Sequence, residues 1–311
     1  MDTKPAISFV ATFYNKAAFA PAVLNAIINQ RHLGDVEYIL VDDGSTDQTL
    51  QILQDFAAKT PHTVLIHQKN QGPAVALNNG VKAARYPLIK PVEGDDILHP
   101  DLTYRLWQAL EKYQAVATYV KPETLWYNLS NNPIYPQKPL PKNPPAHALH
   151  LNDHFKMGIG NGSMLLCRRD TFLAIGGADE RVFVQDNTIN MRLALSGPTF
   201  QIFIDGAVGF PALQRDRISS SDGQIIHDDL KALLFILQDH PTAIPKTLKQ
   251  KSIRRKIKQA AYWLKSLNDT ASKINSYKLC LFVILSHLIS LSERHLIYTL
   301  NILKHRIPNL R

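Results

Sequence analysis

The stretch Ile39-Leu-Val-Asp-Asp-Gly-Ser-Thr-Asp47 decides the fold, because an apolar run ends there at two adjacent carboxylates and a glycine. Further along the chain, Leu88-Ile-Lys-Pro-Val-Glu-Gly-Asp-Asp-Ile97 repeats this arrangement. Both runs have the length of buried strands. Ligands of open α/β sheets bind outside the carboxyl ends of such strands. The pair therefore predicts a site for a nucleotide and its metal at one edge of a sheet.

Strand and helix patterns alternate around these two stretches. The predicted strands cover residues 7–11, 36–41, 63–67, 88–92 and 116–120, and the predicted helices 17–30, 46–58, 72–84 and 100–113. Ser45 or Thr46 is expected to cap the second helix. This order predicts a doubly wound α/β fold, with a mainly parallel sheet flanked by helices.

The pattern changes in the second half of the chain. A Pro-rich stretch at 133–145 is typical of a surface excursion. After it, the sequence predicts strands at 162–167 and 200–204, a helix at 185–195, and almost only helix beyond 224. We therefore expect a main domain over 1–223, with halves at about 1–121 and 122–223, and a C-terminal helical extension over 224–311.

Composition restricts the class of protein. The chain has 311 residues, of which 45% are hydrophobic, so it can bury a large core and is not disordered. Two cysteines, Cys167 and Cys280, exclude a disulfide framework and favour a reducing cytoplasm. The N-terminus has no signal-peptide pattern.

An ordered set of motifs carries a family resemblance. Ile7-Ser-Phe-Val-Ala-Thr-Phe-Tyr-Asn15, Val41-Asp-Asp-Gly-Ser-Thr-Asp47, Asn70-Gln-Gly72 with Ala76-Leu-Asn78, and Gly94-Asp-Asp96 follow one another at compatible spacings. Together they resemble a family 2 glycosyltransferase of the GT-A fold over roughly residues 5–210. Each motif is weak by itself, and the order makes the set specific.

The resemblance implies a nucleotide-sugar site. Asp43 would accept a hydrogen bond from a uracil-like imide, with Thr12 and Asp42 beside it, and Asn78 and Asp95 would also contact the donor. The alternative is that Asp42 and Asp43 cap the turn into the next helix. Asn78 is equally compatible with a polar contact of its helix.

The resemblance also implies a metal site at Asp95 and Asp96. Mg²⁺ and Mn²⁺ prefer carboxylate, water and phosphate oxygens, and one such ion would stabilise the departing nucleoside diphosphate. The family usually has Asp-x-Asp-Asp here, whereas this chain has Glu93 at the first position. The alternative is an acidic turn before the helix that starts near Pro100.

Asp186 resembles the catalytic base of the family. It lies in Val184-Gln-Asp-Asn-Thr-Ile-Asn-Met-Arg-Leu-Ala-Leu-Ser-Gly197, where Gln185 replaces the commoner Glu. An inverting transfer needs one carboxylate to take the proton of the acceptor hydroxyl. We expect the helix dipole to hold Asp186 ionised. An ordinary helix cap is the alternative.

The tail combines basic and apolar helical patterns. Residues 246–265 hold much of the positive charge, and Ile253, Ile257 and Leu264 recur at helical spacing beside it. The apolar run 279–291 is too short to span a bilayer. Residues 246–291 therefore indicate either peripheral contact with anionic lipid or a helical bundle or dimer surface. Nucleic-acid binding is disfavoured, since aromatic and basic residues do not interleave.

These observations predict a metal-dependent, inverting glycosyltransferase that uses a UDP-sugar. Its acceptor would be a hydroxyl of a glycan or lipid-linked saccharide, in cell-surface polysaccharide synthesis at the cytoplasmic side of the membrane. The Gln-x-x-Arg-Trp motif of processive synthases is absent, so the enzyme is expected to be nonprocessive. A nucleotidyltransferase and a non-catalytic glycan- or membrane-binding scaffold are the alternatives. Arg215 or Arg217 could clamp phosphate, although a solvated charged loop is the favoured alternative. His227-Asp-Asp229 is expected only to cap a helix.

Overall fold

Alternating strands and helices form the first half of the chain in the computed structural model. The structure describes residues 4–121, 125–127, 139–156, 159–205, 207–211, 222–267, 269–285, 290–307 and 310. The first elements are β1 (Ile7–Phe13), α1 (Ala20–Ile28), β2 (Val36–Asp42), α2 (Thr49–Lys59), β3 (Thr63–His67), α3 (Pro73–Ala83), β4 (Leu88–Glu93), β5 (Ile97–Leu98), α4 (Leu102–Lys112) and β6 (Ala117–Lys121).

The second half begins with short elements and ends with four long helices. These elements are β7 (Leu125–Tyr127), β8 (Ala146–Leu149), α5 (Leu151–His154), a 3₁₀ turn (Gly162–Met164), β9 (Leu165–Arg168), α6 (Arg169–Ala174), α7 (Asp186–Ser196), β10 (Thr199–Phe203), β11 (Val208–Pro211), α8 (Asp222–Asp239), α9 (Lys246–Ser266), α10 (Thr270–Leu285) and α11 (Glu293–Lys304).

A mainly parallel sheet is the centre of the fold, as the sequence predicts. Its strand order is β3-β2-β1-β4-β9-β6-β10-β8, and the first four strands run parallel. Strand β9 is antiparallel to both neighbours, and β8 is antiparallel to β10. The inner strands β1 and β2 are buried almost throughout, which is typical of parallel strands covered by helices on both faces. A small second sheet has the order β5-β11-β7.

The predicted elements correspond to observed ones, but three of them start three residues later than predicted, among them α1, which begins at Ala20. The other two starts have a local structural cause. Helix α2 begins at Thr49, so neither Ser45 nor Thr46 caps it. The Asp47 carboxylate instead accepts bonds from the Thr49 N–H and hydroxyl. Predicted strand 162–167 begins as a 3₁₀ turn and becomes β9 only at Leu165. In both places a local polar network replaces the regular structure that apolar periodicity indicates.

The C-terminal helices pack together over their own hydrophobic core. Ile253, Ile257 and Leu264 of α9 are buried there, together with apolar residues of α8, α10 and α11. Phe155, directly after α5, and Met191 of α7 join the same core, so the C-terminal helices also pack against this part of the main domain. The apolar side of α9 is therefore occupied by protein, which agrees with the helical-bundle alternative for this helix.

The tail helices do not resemble membrane spans. Among the residues that the structure describes, every helix is too short or too polar to cross a bilayer.

Candidate functional site

The site is built at the edge where strands β2, β1 and β4 end. Phe13 lies opposite Asp42, and Thr12 lies opposite Glu93, so the three strands finish at nearly the same level. Adjacent strands lie about 4.8 Å apart, which puts the ends of β2 and β4 roughly 10 Å from each other. Thr12 stands between the two acidic stretches. The predicted juxtaposition of these stretches at one sheet edge is present in the structure.

Asp43 organises the loop that follows β3. Its carboxylate accepts hydrogen bonds from the backbone N–H of Gln71 and of Gly72, both at 2.9 Å, and from the Gln68 side chain at 2.8 Å. A carboxylate offers about four lone-pair sites, so about one is left for a ligand such as a base imide. Gly72 has φ +92°, a value that favours glycine, and this lets the chain turn towards the carboxylate.

Asp42 is fully buried beside Asp43 and supports the same turn. Its Oδ2 lies 2.8 Å from Nδ1 of His67 and accepts the backbone N–H of Ser45 at 3.2 Å. The side chain therefore joins the ends of β2 and β3 rather than facing the cleft. This geometry agrees with the supporting role that the sequence suggests for Asp42.

Glu93, Asp95 and Asp96 form a compact carboxylate cluster at the end of β4. One oxygen of each lies within 4.8 Å of the others. Lys16, from the loop after β1, donates to Asp95 Oδ2 at 2.6 Å. The sequence predicts Asp95 and Asp96 as metal ligands. In the structure, the longer Glu93 side chain belongs to the same cluster.

The electrostatics of this cluster suit a cation. Burial, together with the charges of Glu93 and Asp95, raises the pKa of Asp96 well above its ordinary value. Like charges held this close destabilise the ionised forms, and a bound cation relieves that repulsion. Hard oxygen donors in this number fit Mg²⁺ or Mn²⁺, so the residues present are compatible with the expected cofactor.

A turn of three residues connects the acidic cluster to Asp186. Asn161 donates to Asp96 Oδ2 at 2.7 Å, and the Ser163 hydroxyl also hydrogen-bonds the Asp96 carboxylate. Between them, the backbone N–H of Gly162 hydrogen-bonds the Asp186 carboxylate. We call residues 161–163 the bridging turn. Through these bonds it holds two carboxylates from distant parts of the sequence close to each other.

Asp186 is the first residue of helix α7, as predicted. Its Oδ1 is buried, and among the described residues it has no hydrogen-bond partner. Burial, followed by the charge of Asp96, raises the pKa of Asp186 from 3.8 to about 7. The helix dipole favours the ionised form but does not outweigh these two effects, which corrects the expectation of a fully ionised carboxylate.

Lys90 lies beneath the site and was not recognised in the sequence analysis. It is fully buried in β4, and its ammonium donates to the carbonyl oxygens of Ser163 at 2.6 Å and Pro91 at 2.9 Å. Burial lowers the pKa of Lys90 to about 7. A lysine within a strand that is otherwise apolar was the available signal, because buried lysines are rare unless they have partners.

Two adjacent carboxylates of α8 hold the chain on both sides of Asp186. Asp228 accepts the backbone N–H of Val184 at 2.9 Å, and Asp229 accepts the side chain of Asn187. The buried ammonium of Lys256 lies 2.9 Å from Asp229. His227-Asp-Asp229 therefore lies inside a helix and fixes the start of α7, so the prediction that it caps a helix is wrong.

A further candidate, Asn78, is held by hydrogen bonds within the protein. Asn78 donates to the Ala178 carbonyl and to Glu180, both at 2.9 Å, and accepts the Ala178 N–H. Its amide group ties α3 to the segment before α7, which is a polar packing contact rather than a free donor-binding group. Arg215 and Arg217 lie outside the described residues.

Comparison with known proteins gives a family match over more than half of the chain. Residues 8–175 match the model "Glycosyl transferase family 2". The uncharacterised glycosyltransferase EpsJ of Bacillus subtilis is 36% identical over 110 residues, which are 35% of this chain and 32% of that protein. The chondroitin synthase of Escherichia coli is 37% identical over 97 residues, 31% of this chain and 14% of that protein. The matched segments thus span about a third or less of these relatives.

Solved structures resemble the fold over nearly its whole length. A structure of S. aureus TarS with UDP-GlcNAc gives a TM-score of 0.66 at 15% identity, covering 94% of this chain and 87% of that one. The mannosyltransferase PcManGT from Pyrobaculum calidifontis, with GDP-Man and Mn²⁺, gives 0.58 at 16% identity, covering 97% and 87%. At such identities the likeness establishes the GT-A fold and nothing finer.

Proposed function

Because the chain belongs to glycosyl transferase family 2, we propose that it moves one sugar from a nucleotide donor to an acceptor hydroxyl with inversion. One observation carries this proposal. The bridging turn hydrogen-bonds both Asp96, which belongs to a carboxylate cluster of metal-binding type, and Asp186, although the two lie far apart in the sequence.

The donor would bind across the ends of β2, β1 and β4. In this proposal Asp43 and Thr12 seat the base and ribose, with Asp42 holding the turn behind them. Glu93, Asp95 and Asp96 would hold a divalent ion, which neutralises diphosphate charge and stabilises the leaving nucleoside diphosphate. Lys16 already pairs with Asp95 at this edge, so its ammonium could also reach a phosphate oxygen.

Asp186 would be the general base. Its unpartnered Oδ1 can accept the proton of the attacking hydroxyl, and a pKa near 7 is close to the optimum for proton transfer at neutral pH. Inversion requires the base and the leaving group on opposite sides of the anomeric carbon. Because the bridging turn contacts both Asp96 and Asp186, the ion and the base would both lie next to a donor sugar bound there.

The ligands bound in similar structures support a nucleotide-sugar donor. TarS binds UDP-GlcNAc, and the mannosyltransferase binds GDP-Man with Mn²⁺. We propose a UDP-sugar for this chain. A poly-beta-1,6-N-acetyl-D-glucosamine synthase of Staphylococcus epidermidis is 27% identical over 106 residues. This likeness supports, as a proposal, a role in cell-surface polysaccharide synthesis with a glycan or lipid-linked acceptor.

We further propose a division of labour along the chain. Residues 1–223 would carry the transfer chemistry, and residues 224–311 would brace α7 and contact the cytoplasmic face of the membrane peripherally. The bracing part rests on the contacts of Asp228 and Asp229 with the chain around Asp186.

The experiment is a titration calorimetry panel of UDP, GDP, CDP and TDP, each with and without Mn²⁺. We expect tight uptake of UDP that depends on Mn²⁺, followed by release of UDP from the matching UDP-sugar when an acceptor is supplied. Asp186→Asn should keep UDP binding and lose transfer. A scaffold would bind no nucleotide, and a nucleotidyltransferase would release pyrophosphate from a nucleoside triphosphate, so either result would refute the proposal.

A further inference from the structure

Helix α10 exposes a continuous row of large apolar side chains. Ile274, Tyr277, Leu281 and Ile284 are 49%, 69%, 52% and 66% exposed. At about 100° per residue, these four positions fall within an arc of roughly 80° on one side of the helix. We call them the α10 stripe. Ser272, Ser276 and Leu279, on the opposite side, are buried against the rest of the helical unit.

Such a row needs an explanation, although a single exposed apolar residue does not. Among the described residues, twelve large hydrophobic side chains are exposed, and seven of them belong to α9, α10 and α11. These three helices are a small part of the chain. Exposure is therefore concentrated on this end of the molecule, which is typical of an interaction surface.

The same region carries the positive charge of the protein. Residues 246–311 contain fourteen Lys and Arg against two acidic residues, which gives a net +12, whereas the whole chain has +9. The rest of the chain is therefore slightly negative. On α10 itself, exposed Lys273 and Lys278 flank the stripe on its two sides. On α9, Lys251, Lys258 and Lys265 are exposed with Tyr262 on one side of the helix.

We propose that the α10 stripe inserts into the interfacial layer of an anionic lipid bilayer, with Lys273 and Lys278 on lipid phosphates. The apolar side chains of the stripe match the acyl-chain boundary of a bilayer, and the lysines beside them match its anionic headgroups. A second copy of this chain would face the stripe with its own +12 region, so like charges would oppose such pairing. Nucleic acid would match the lysines but leave the isoleucines and leucine without a partner.

This face differs from the one that sequence periodicity indicates. The periodic apolar residues of α9 are buried in the bundle, and α10, which has little helical amphipathicity in its sequence, presents the surface instead. The proposal does not depend on the transfer chemistry. It would orient the molecule with this end on the membrane, where an acceptor attached to lipid would be available.

The test is co-sedimentation of the full chain with vesicles. One set contains phosphatidylcholine with about one-third phosphatidylglycerol, and the other contains phosphatidylcholine alone. We expect binding to the anionic set that weakens with salt, and little binding to the neutral set. The Asp186→Asn variant, which should not catalyse transfer, should bind vesicles as well as the wild type does. Vesicle binding is therefore a test that does not depend on the proposed enzymatic activity.

Matched variants locate the surface. Leu281→Ser should weaken vesicle binding about tenfold or more, because a leucine side chain is removed from an apolar environment. Leu173→Ser, at an exposed leucine of α6, should leave binding unchanged. Removing Lys273 and Lys278 by substitution with Gln should cost about fivefold for each lysine, whereas the same change at exposed Lys59 and Lys82 should have little effect.

Three outcomes would overturn the proposal. These are equal binding to neutral and anionic vesicles, equal loss from Leu281→Ser and Leu173→Ser, and absence of vesicle binding by a well-folded chain. A well-folded chain that does not bind vesicles could instead dimerise as its concentration rises, which sedimentation velocity would show. If Leu281→Ser abolished those dimers, the α10 stripe would be a self-association surface.

Discussion

Replacing Asp186 with Asn should make the protein more stable while it stops catalysis. The pKa of this carboxyl is raised from 3.8 to about 7, first by burial and then by the charge of Asp96. A raised pKa means that ionisation of this carboxyl destabilises the folded state. Asparagine has the same shape and no charge, so the variant is not destabilised in this way.

The size of the effect follows from the two pKa values and depends on pH. Each pH unit between the two pKa values corresponds to about 1.4 kcal/mol of unfolding free energy. At pH 8 the free energy of unfolding of the metal-free wild type should therefore be about 4 kcal/mol lower than that of the variant. At pH 5 the folded carboxyl is already protonated, and the difference should shrink to about 2 kcal/mol. The stabilising effect of Asp186→Asn should therefore increase between about pH 4 and pH 7 and stay constant above pH 7.

Urea unfolding at pH 5 and pH 8, with EDTA present, measures this difference directly. Transfer activity should fall about 10²–10⁴-fold, the usual contribution of a general base, while calorimetry shows unchanged UDP affinity. A stability difference that does not change between the two pH values would refute the electrostatic reasoning. A variant that loses UDP affinity together with stability would refute the assignment of Asp186 as a base that does not contact the donor.

Three further predictions concern the surroundings of the site. Asn161→Ala should weaken Mn²⁺ binding about 10–100-fold in calorimetry, because Asp96 loses the donor that orients it, and unchanged affinity would exclude this role. Asp228→Asn should lower kcat by up to about a hundredfold with little change in the donor KM, since the start of α7 shifts. Asp222→Asn, at the exposed start of the same helix, is its control, and equal effects would argue against a specific brace. Burial lowers the pKa of His154 to about 4. The free energy of unfolding should therefore decrease by up to about 3 kcal/mol as pH falls from 6.5 towards 4. His154→Gln should flatten that part of the stability curve, and an unaltered slope would contradict the burial effect.

The sequence by itself determined the sheet and the edge at which the site lies. Apolar runs of strand length that end at Asp42 and Glu93 can only be parallel strands with their acidic ends together, because the alternating helices return the chain to the same side. Asp43, Asp95 and Asp96 could be singled out because they follow strand ends, whereas Asp186 was singled out through the family resemblance of its motif.

The sequence could not determine what supports those residues. The bridging turn, Lys90 and the carboxylates of α8 act through contacts between segments far apart in the chain, and such contacts have no local period. The same limit explains the errors at Ser45, where a side-chain network displaced the predicted cap.

Only the tertiary structure decided which surfaces remain exposed. Periodicity shows that a helix such as α9 has an apolar side, but burial depends on which other helices pack against it. The bundle buries that side of α9 and leaves the α10 stripe in contact with solvent. In the same way, the pKa of Asp186 depends on burial and on the nearby Asp96, since desolvation and Coulomb interactions act through space and not along the chain.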